Sequence, residues 1–263
     1  MFFVDSHCHI DLLDYKNIHM GLKDVLEKSI KNHIKLLLTV STSIDNFNYL
    51  KNFIKGNKNI LLSCGIHPLN VNKNKYEITS LKKFFKQKQV IAIGETGLDY
   101  FHKIEKYDFL QKMLFREHIR SAIEFKKPLL IHTRYAIQDT IKILKEESAN
   151  KCQGIIHSFT ENKKNAKILL NMGFYISFSG IATFKNSRDI QETVKFIPLD
   201  RILLETDSPY LSPEPYRGKE NQPAYLYNIA LIISKLKNIS IENLAYHTTK
   251  NFFTLFNVNI DFK

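Results

Sequence analysis

Short apolar runs rich in β-branched residues recur along this chain, with longer stretches of helical period between them. The runs are Phe3 to Ser6, Ile34 to Val40, Ile60 to Ile66, Val90 to Gly94, Pro128 to Ile131, Gly154 to Ile156, Phe174 to Phe178 and Arg201 to Leu204. The stretches between them repeat apolar residues at three- and four-residue steps, as Leu110, Leu114, Ile119 and Ile123 do within Tyr107 to Phe125. That spacing lines one face of a helix. Strand followed by helix, eight times over, predicts parallel pairing, because parallel neighbours need a crossover long enough to hold a helix. Many runs are almost uniformly apolar rather than alternating. Such strands are expected where helices cover one face of a parallel sheet and packed side chains fill the other.

The pattern therefore predicts an α/β fold, a (β/α)8 TIM barrel, as a single domain over residues 1–263. An open doubly wound sheet is the alternative, but no Gly-rich phosphate loop follows any strand. The least regular stretch, Ser208 to Pro223, carries four prolines and a glycine after the eighth strand, where a barrel places functional loops. Helices around Tyr225 to Leu236 and Ile241 to Leu255 are expected to close the fold.

Composition narrows the class. With 44% hydrophobic and 24% charged residues the chain can bury a sizeable core, which excludes a disordered or fibrous protein. No apolar run approaches the roughly 20 residues of a membrane helix, and no basic segment with a small-residue cleavage site opens the chain. The expectation is a cytoplasmic monomer with no membrane partner. Cys8, Cys64 and Cys152 stand singly without paired spacing, which predicts free thiols. A net charge of +12 would draw a polyanion such as nucleic acid. The competing account is lysine spread over solvated helix faces, as at Lys82, Lys83 and Lys86.

Barrel enzymes place reacting groups at the C-terminal ends of their strands, so the residues that follow each run carry the candidate chemistry. The first strand runs into His7-Cys8-His9, the third into His67-Pro68, the fourth into Glu95 and Asp99, the fifth into His132-Thr133-Arg134, the sixth into His157, and the eighth into Glu205-Thr206-Asp207. His7 and His9 are two apart on a strand, so both point to one side and Cys8 to the other. Alone, such a pair is a weak signal. Glu95 or Asp207 in isolation could cap a helix, and a lone His132 or His157 is more often a hydrogen-bonded core residue. Together, His7, His9, Glu95, His132, His157 and Asp207 supply nitrogen and oxygen ligands for a two-metal centre, too many for one tetrahedral zinc.

These blocks carry a family resemblance. Asp5-Ser6-His7-Cys8-His9, Gly65-Ile66-His67-Pro68, Gly94-Glu95-Thr96-Gly97-Leu98-Asp99, His132-Thr133-Arg134, Glu205-Thr206-Asp207-Ser208-Pro209-Tyr210-Leu211 and Arg217-Gly218-Lys219 together resemble the TatD family of metal-dependent deoxyribonucleases, within the amidohydrolase-like barrels. The resemblance implies two divalent ions, magnesium, manganese or zinc. His7, His9, Glu95 and Asp207 would hold one, Glu95, His132 and His157 the other, with Glu95 as the bridge. A glutamate in place of a carboxylated lysine implies activity without carbon dioxide. Two departures are Ser158, where the family commonly has cysteine, and the acidic Glu220, where a second basic residue is expected.

The expected reaction is hydrolysis of DNA phosphodiester bonds by a 3′-to-5′ exonuclease, with RNA as a further substrate, in DNA repair or turnover. The polarity comes from the resemblance. Two cations would lower the pKa of a water and stabilise the attacking and leaving oxygens, with Asp207 as proton acceptor and Glu95 beside it as the second catalytic carboxylate. His67, Arg134, Tyr210 and Arg217 are candidate substrate contacts. Their structural alternatives are a stiffened His-Pro turn for His67, pairing of Arg134 with Glu205, and a solvated loop charge for Arg217. Competing functions are a small-molecule hydrolase or deacylase on the same barrel, and a nucleic-acid-binding barrel without catalysis.

Overall fold

The computed structural model describes residues 1–71, 78–101 and 105–258. All eight apolar runs form strands: β1 (Phe3–Cys8), β2 (Ile34–Thr39), β3 (Ile60–Cys64), β4 (Val90–Asp99), β5 (Leu129–Arg134), β6 (Gly154–Ile156), β7 (Tyr175–Phe178) and β8 (Ile202–Leu204). They follow one another in the sheet in chain order, the order of the predicted barrel. The crossovers hold α1 (Leu22–Lys31), α2 (Ile44–Phe53), α3 (Ile78–Phe85), α4 (Glu105–Phe125), α5 (Ile137–Glu146), α6 (Lys163–Asn171) and α7 (Arg188–Phe196), and α8 (Leu226–Lys237) and α9 (Ile241–Phe256) follow β8. No helix among the described residues is long and apolar enough to cross a membrane. All three cysteines are free thiols, as expected.

Two compact units divide the chain: Met1–Leu38 with Ser158–Ala166 and Ile176–Lys263, and Thr39–His157 with Lys167–Tyr175. In the first, the last strand lies beside the first. The Asp207 N–H donates to the His7 carbonyl at 2.9 Å, the His9 N–H to the Ser208 carbonyl at 2.8 Å, and the Ser6 hydroxyl to the Leu204 carbonyl at 3.0 Å. β7 pairs parallel with β8 through Ile176 and Ile202. Helix α9 covers β1 and β8 with the buried Leu244, Phe252 and Phe256, and the Asn251 amide donates to the carbonyls of Leu199 and Ile202 at 2.8 and 2.9 Å.

In the second unit β3, β4, β5 and β6 pair in parallel. Here two strands run past their apolar segments, the fourth beyond Gly94 to Asp99 and the fifth beyond Ile131 to Arg134. Residues 96–99 continue alongside β5, placing Gly97 opposite His132, Leu98 opposite Thr133 and Asp99 opposite Arg134. Backbone groups that a Gly-rich polar segment would leave to solvent thus find ladder partners. Gly97 is required there: its φ is +134°, and a Cβ would stand 2.0 Å from the His132 carbonyl oxygen.

Candidate metal centre

The backbone bonds between β1 and the loop after β8 bring three ligand-type side chains together in the first unit. The Nε2 atoms of His7 and His9 are 3.3 Å apart, and they lie 3.6 and 3.5 Å from Asp207 Oδ1. All three residues are buried. Asp207 has φ +56°, a left-handed conformation uncommon for a non-glycine residue, and the His7 carbonyl holds its N–H. Cys8 points the other way, toward the Leu38 carbonyl at 3.6 Å, and burial pushes its thiol pKa well above the ordinary value. The i, i+2 alternation read from the sequence is thus the one observed.

The second unit builds a cluster around Glu95. Its Oε1 lies 3.1 Å from His132 Nδ1, 2.9 Å from His157 Nε2 and 3.5 Å from His67 Nε2. His132 Nδ1 and His157 Nε2 are 3.1 Å apart. Ligand atoms bonded at about 2.1 Å stand roughly 3.4 Å apart at tetrahedral corners and roughly 3.0 Å apart at adjacent octahedral ones. The spacings of both clusters, from 2.9 to 3.6 Å, bracket those values within a few tenths of an ångström, so the donor sets fit a divalent cation. Buried carboxylates facing imidazole nitrogens favour such a cation, because desolvated anions are stable only beside positive charge.

Asp99 orients His132, a role that its position in the sequence does not disclose. Its Oδ2 is 3.1 Å from His132 Nε2, which sets the ring proton on that nitrogen and leaves the Nδ1 lone pair facing Glu95. Burial works to raise the Asp99 pKa, but the His132 hydrogen bond and charge outweigh it and hold the carboxyl below its usual range. The same contact shifts His132 the other way: burial favours the neutral ring, and Asp99 and then Glu95 raise its pKa regardless.

Asp5 does comparable work under the first cluster. Its carboxylate accepts from the Thr206 N–H at 2.9 Å, the Thr206 hydroxyl at 2.6 Å and the His7 N–H at 3.3 Å. Burial pushes its pKa up to about 8 against those bonds. The Asn221 amide locks the same loop by donating to the carbonyls of Thr206 and Tyr210.

The remaining candidates separate. His67 Nδ1 accepts the Leu69 N–H at 3.1 Å, so the ring stiffens its His-Pro turn and directs an Nε2–H toward Glu95. Tyr210 is exposed and sets its ring edge-on to His9 at 6.0 Å. Arg134 lies on the Phe101 ring, 3.7 Å from its centroid. Arg217 lies over Phe184 at 4.1 Å and beside Glu214 at 3.9 Å.

Both departures from the resembled pattern have a local account. The Ser158 hydroxyl shares a 2.8 Å hydrogen bond with Ser179. Glu220 accepts the Asp14 N–H on both oxygens, at 3.1 and 3.0 Å, and sits 3.2 Å from His19 Nε2, tying the loop after β1 to the loop after β8.

Comparison with known proteins agrees with the barrel and its motifs. The profile of the TatD-related DNase family matches residues 4–257. A protein of Buchnera aphidicola subsp. Baizongia pistaciae, described as an uncharacterized metal-dependent hydrolase, is 63% identical over 258 residues, covering 98% of this chain and 97% of its own. The metal-dependent hydrolase YcfH of Escherichia coli K12 is 44% identical over 259 residues, again covering 98% and 97%. Among solved structures, the Escherichia coli TatD homologue YJJV superimposes with a TM-score of 0.90 at 22% identity, covering 98% of both chains. The fold is accordingly the (β/α)8 barrel that the strand pattern predicts.

Proposed function

The chain belongs to the TatD family of metal-dependent hydrolases, and from that premise we propose that it is a cytoplasmic nuclease that hydrolyses DNA phosphodiester bonds from 3′ ends, with RNA as a further substrate. The observation that carries this reading is the pair of clusters, His7 with His9 and Asp207, and Glu95 with His157 and the half-buried His132, each spaced for a divalent cation. We assign one ion, magnesium, manganese or zinc, to each cluster. The formal charge of +12 favours a phosphate polymer over a neutral ester.

When bound, such ions polarise a phosphoryl oxygen and make water a competent nucleophile at neutral pH. Everything else falls to the chain. Asp207 accepts the proton of the attacking water, a role open to a carboxylate that stays ionised beside positive charge. Asp5 and Asn221 hold the Thr206–Tyr210 segment so that Asp207 cannot drift. His67 steadies Glu95, Asp99 presents the His132 lone pair, and Arg134 and Tyr210 reach the substrate strand. Repair or turnover of damaged ends is the setting that fits this activity.

The test is release of nucleotides from 3′-labelled single-stranded DNA with magnesium, manganese or a chelator. We expect metal-dependent release and two ions per chain at saturation. Asp207→Asn should lower turnover by about 10²- to 10⁴-fold while the fold survives. A near-native rate in that variant removes the proton-acceptor role, and hydrolysis of carboxylic esters or lactones without any DNA cleavage turns the reading to a deacylase.

A further inference from the structure

Beyond the ligand clusters, the ends of β4 and β5 carry an aromatic arrangement that the hydrolytic chemistry does not use. The rings of Phe101 and Tyr135 stack with centroids 5.7 Å apart and planes 20° apart. The Arg134 guanidinium lies on the Phe101 ring at 3.7 Å. Both rings face solvent, Phe101 with 47% and Tyr135 with 75% of its surface exposed. Tyr135 takes φ +54°, a backbone conformation that a bulky residue rarely adopts. Large rings held outward are a cost to an isolated fold, since each would lose less surface to water if turned inward.

The arrangement is indexed to the Glu95 cluster by one carboxylate. Asp99 Oδ1 accepts the Phe101 N–H at 3.0 Å, while its Oδ2 faces His132 Nε2 at 3.1 Å. The Tyr100 N–H donates to the Arg134 carbonyl at 2.9 Å, fastening the two strand ends to each other. A planar group laid on Tyr135 therefore sits at a fixed offset from His132, on a stack whose Phe101 ring carries the Arg134 guanidinium.

We propose that Phe101, Arg134 and Tyr135 form a stacking subsite for an unpaired nucleobase next to the phosphate being cleaved. The choice of a nucleic acid as ligand rests on the nuclease reading above. Tyr135 offers its open ring to the base, Phe101 backs that ring, and Arg134 adds a cation that both stacks and attracts the strand's phosphates. Every base has a π-face, so the subsite tolerates all four. A base already stacked within a duplex cannot reach it without unstacking, so frayed and single-stranded ends are favoured.

The experiment compares two oligonucleotides, one with a normal 3′-terminal base and one with an abasic 3′ end, for the wild type, Tyr135→Leu and Tyr135→Phe. In the wild type kcat/KM should favour the base-bearing end by about tenfold, the size of one stacked base. That ratio should collapse toward one in Tyr135→Leu and return in Tyr135→Phe. A second readout is a 3′-terminal 2-aminopurine, whose emission stacking quenches; the chain has no tryptophan to obscure it. Quenching by the wild type but not by Tyr135→Leu supports the subsite even if no strand is cut, an outcome that overturns only the nuclease reading. Cleavage with the same base-to-abasic ratio in all three proteins overturns the subsite and leaves that reading standing. Neither cleavage nor quenching by the wild type overturns both.

Discussion

His132 presents Nδ1 to the Glu95 cluster because Asp99 takes the proton on the opposite nitrogen. Asp99→Asn can donate to Nε2 instead, which moves the ring proton to Nδ1 and removes the lone pair that a cation needs. We expect a 10- to 100-fold rise in the metal concentration required for half-maximal activity, read by metal titration of the rate; an unchanged midpoint would free His132 from Asp99. His118 sets a different dependence. Its Nδ1 contacts the Leu114 carbonyl at 2.8 Å and its Nε2 accepts the Ile66 N–H at 3.2 Å. Burial drives its pKa down to about 4, against the raising effect of Leu114. Unfolded, the ring titrates near 6.5, so below that pH the unfolded chain binds the extra proton. The stability contributed by His118 is complete above pH 6.5 and drains away as pH falls toward 4. Urea unfolding should show the drop between pH 7 and 4.5 shrinking by about 2 kcal/mol in His118→Gln. Residues such as His7 and His9 were legible because strand alternation alone aims them together. The duty of Asp99 was not, since it depends on which residue of the neighbouring strand stands opposite.

Register is the property of elements that made the difference. The apolar runs located all eight strands, and β6 kept its expected limits at Gly154 and Ile156. β4 overran them, because Glu95 to Asp99 reads as a polar loop until β5 supplies its hydrogen-bond partners. Gly97 is the hinge of that pairing. Gly97→Ala would drive a methyl group into the His132 carbonyl and impose strain at φ +134°, costing roughly 2–4 kcal/mol. The denaturant midpoint should fall accordingly, and metal affinity should fall with it as His132 is displaced; a midpoint within error of the wild type would show that β5 yields at no cost. Helix α2 starts on a purely local bond: the Ser43 hydroxyl accepts the Asn46 N–H at 3.1 Å, as an N-cap serine does.

For the whole molecule, ions that bind the folded chain alone should raise its stability by about 2.7 kcal/mol at a hundredfold excess over Kd. For a domain of this size that corresponds to roughly 5–10 °C in Tm. Scanning calorimetry with and without a chelator should register the shift, and coincident Tm values would speak against cation binding in either cluster. The long-range ties were the least legible feature of the sequence, because Glu220 meets Asp14, and Asp5 meets Thr206, only after nearly the whole chain has wound round. Asp5 and Thr206 are 201 positions apart, and a ribosome adding 5–20 residues per second needs roughly 10–40 s to bridge them. Glu95, His132 and His157 all lie within the uninterrupted stretch Thr39–His157, so their half of the chemistry is synthesised early. His7 and His9 leave the ribosome first and meet Asp207 last, so a nascent chain completes its two ligand clusters in two instalments.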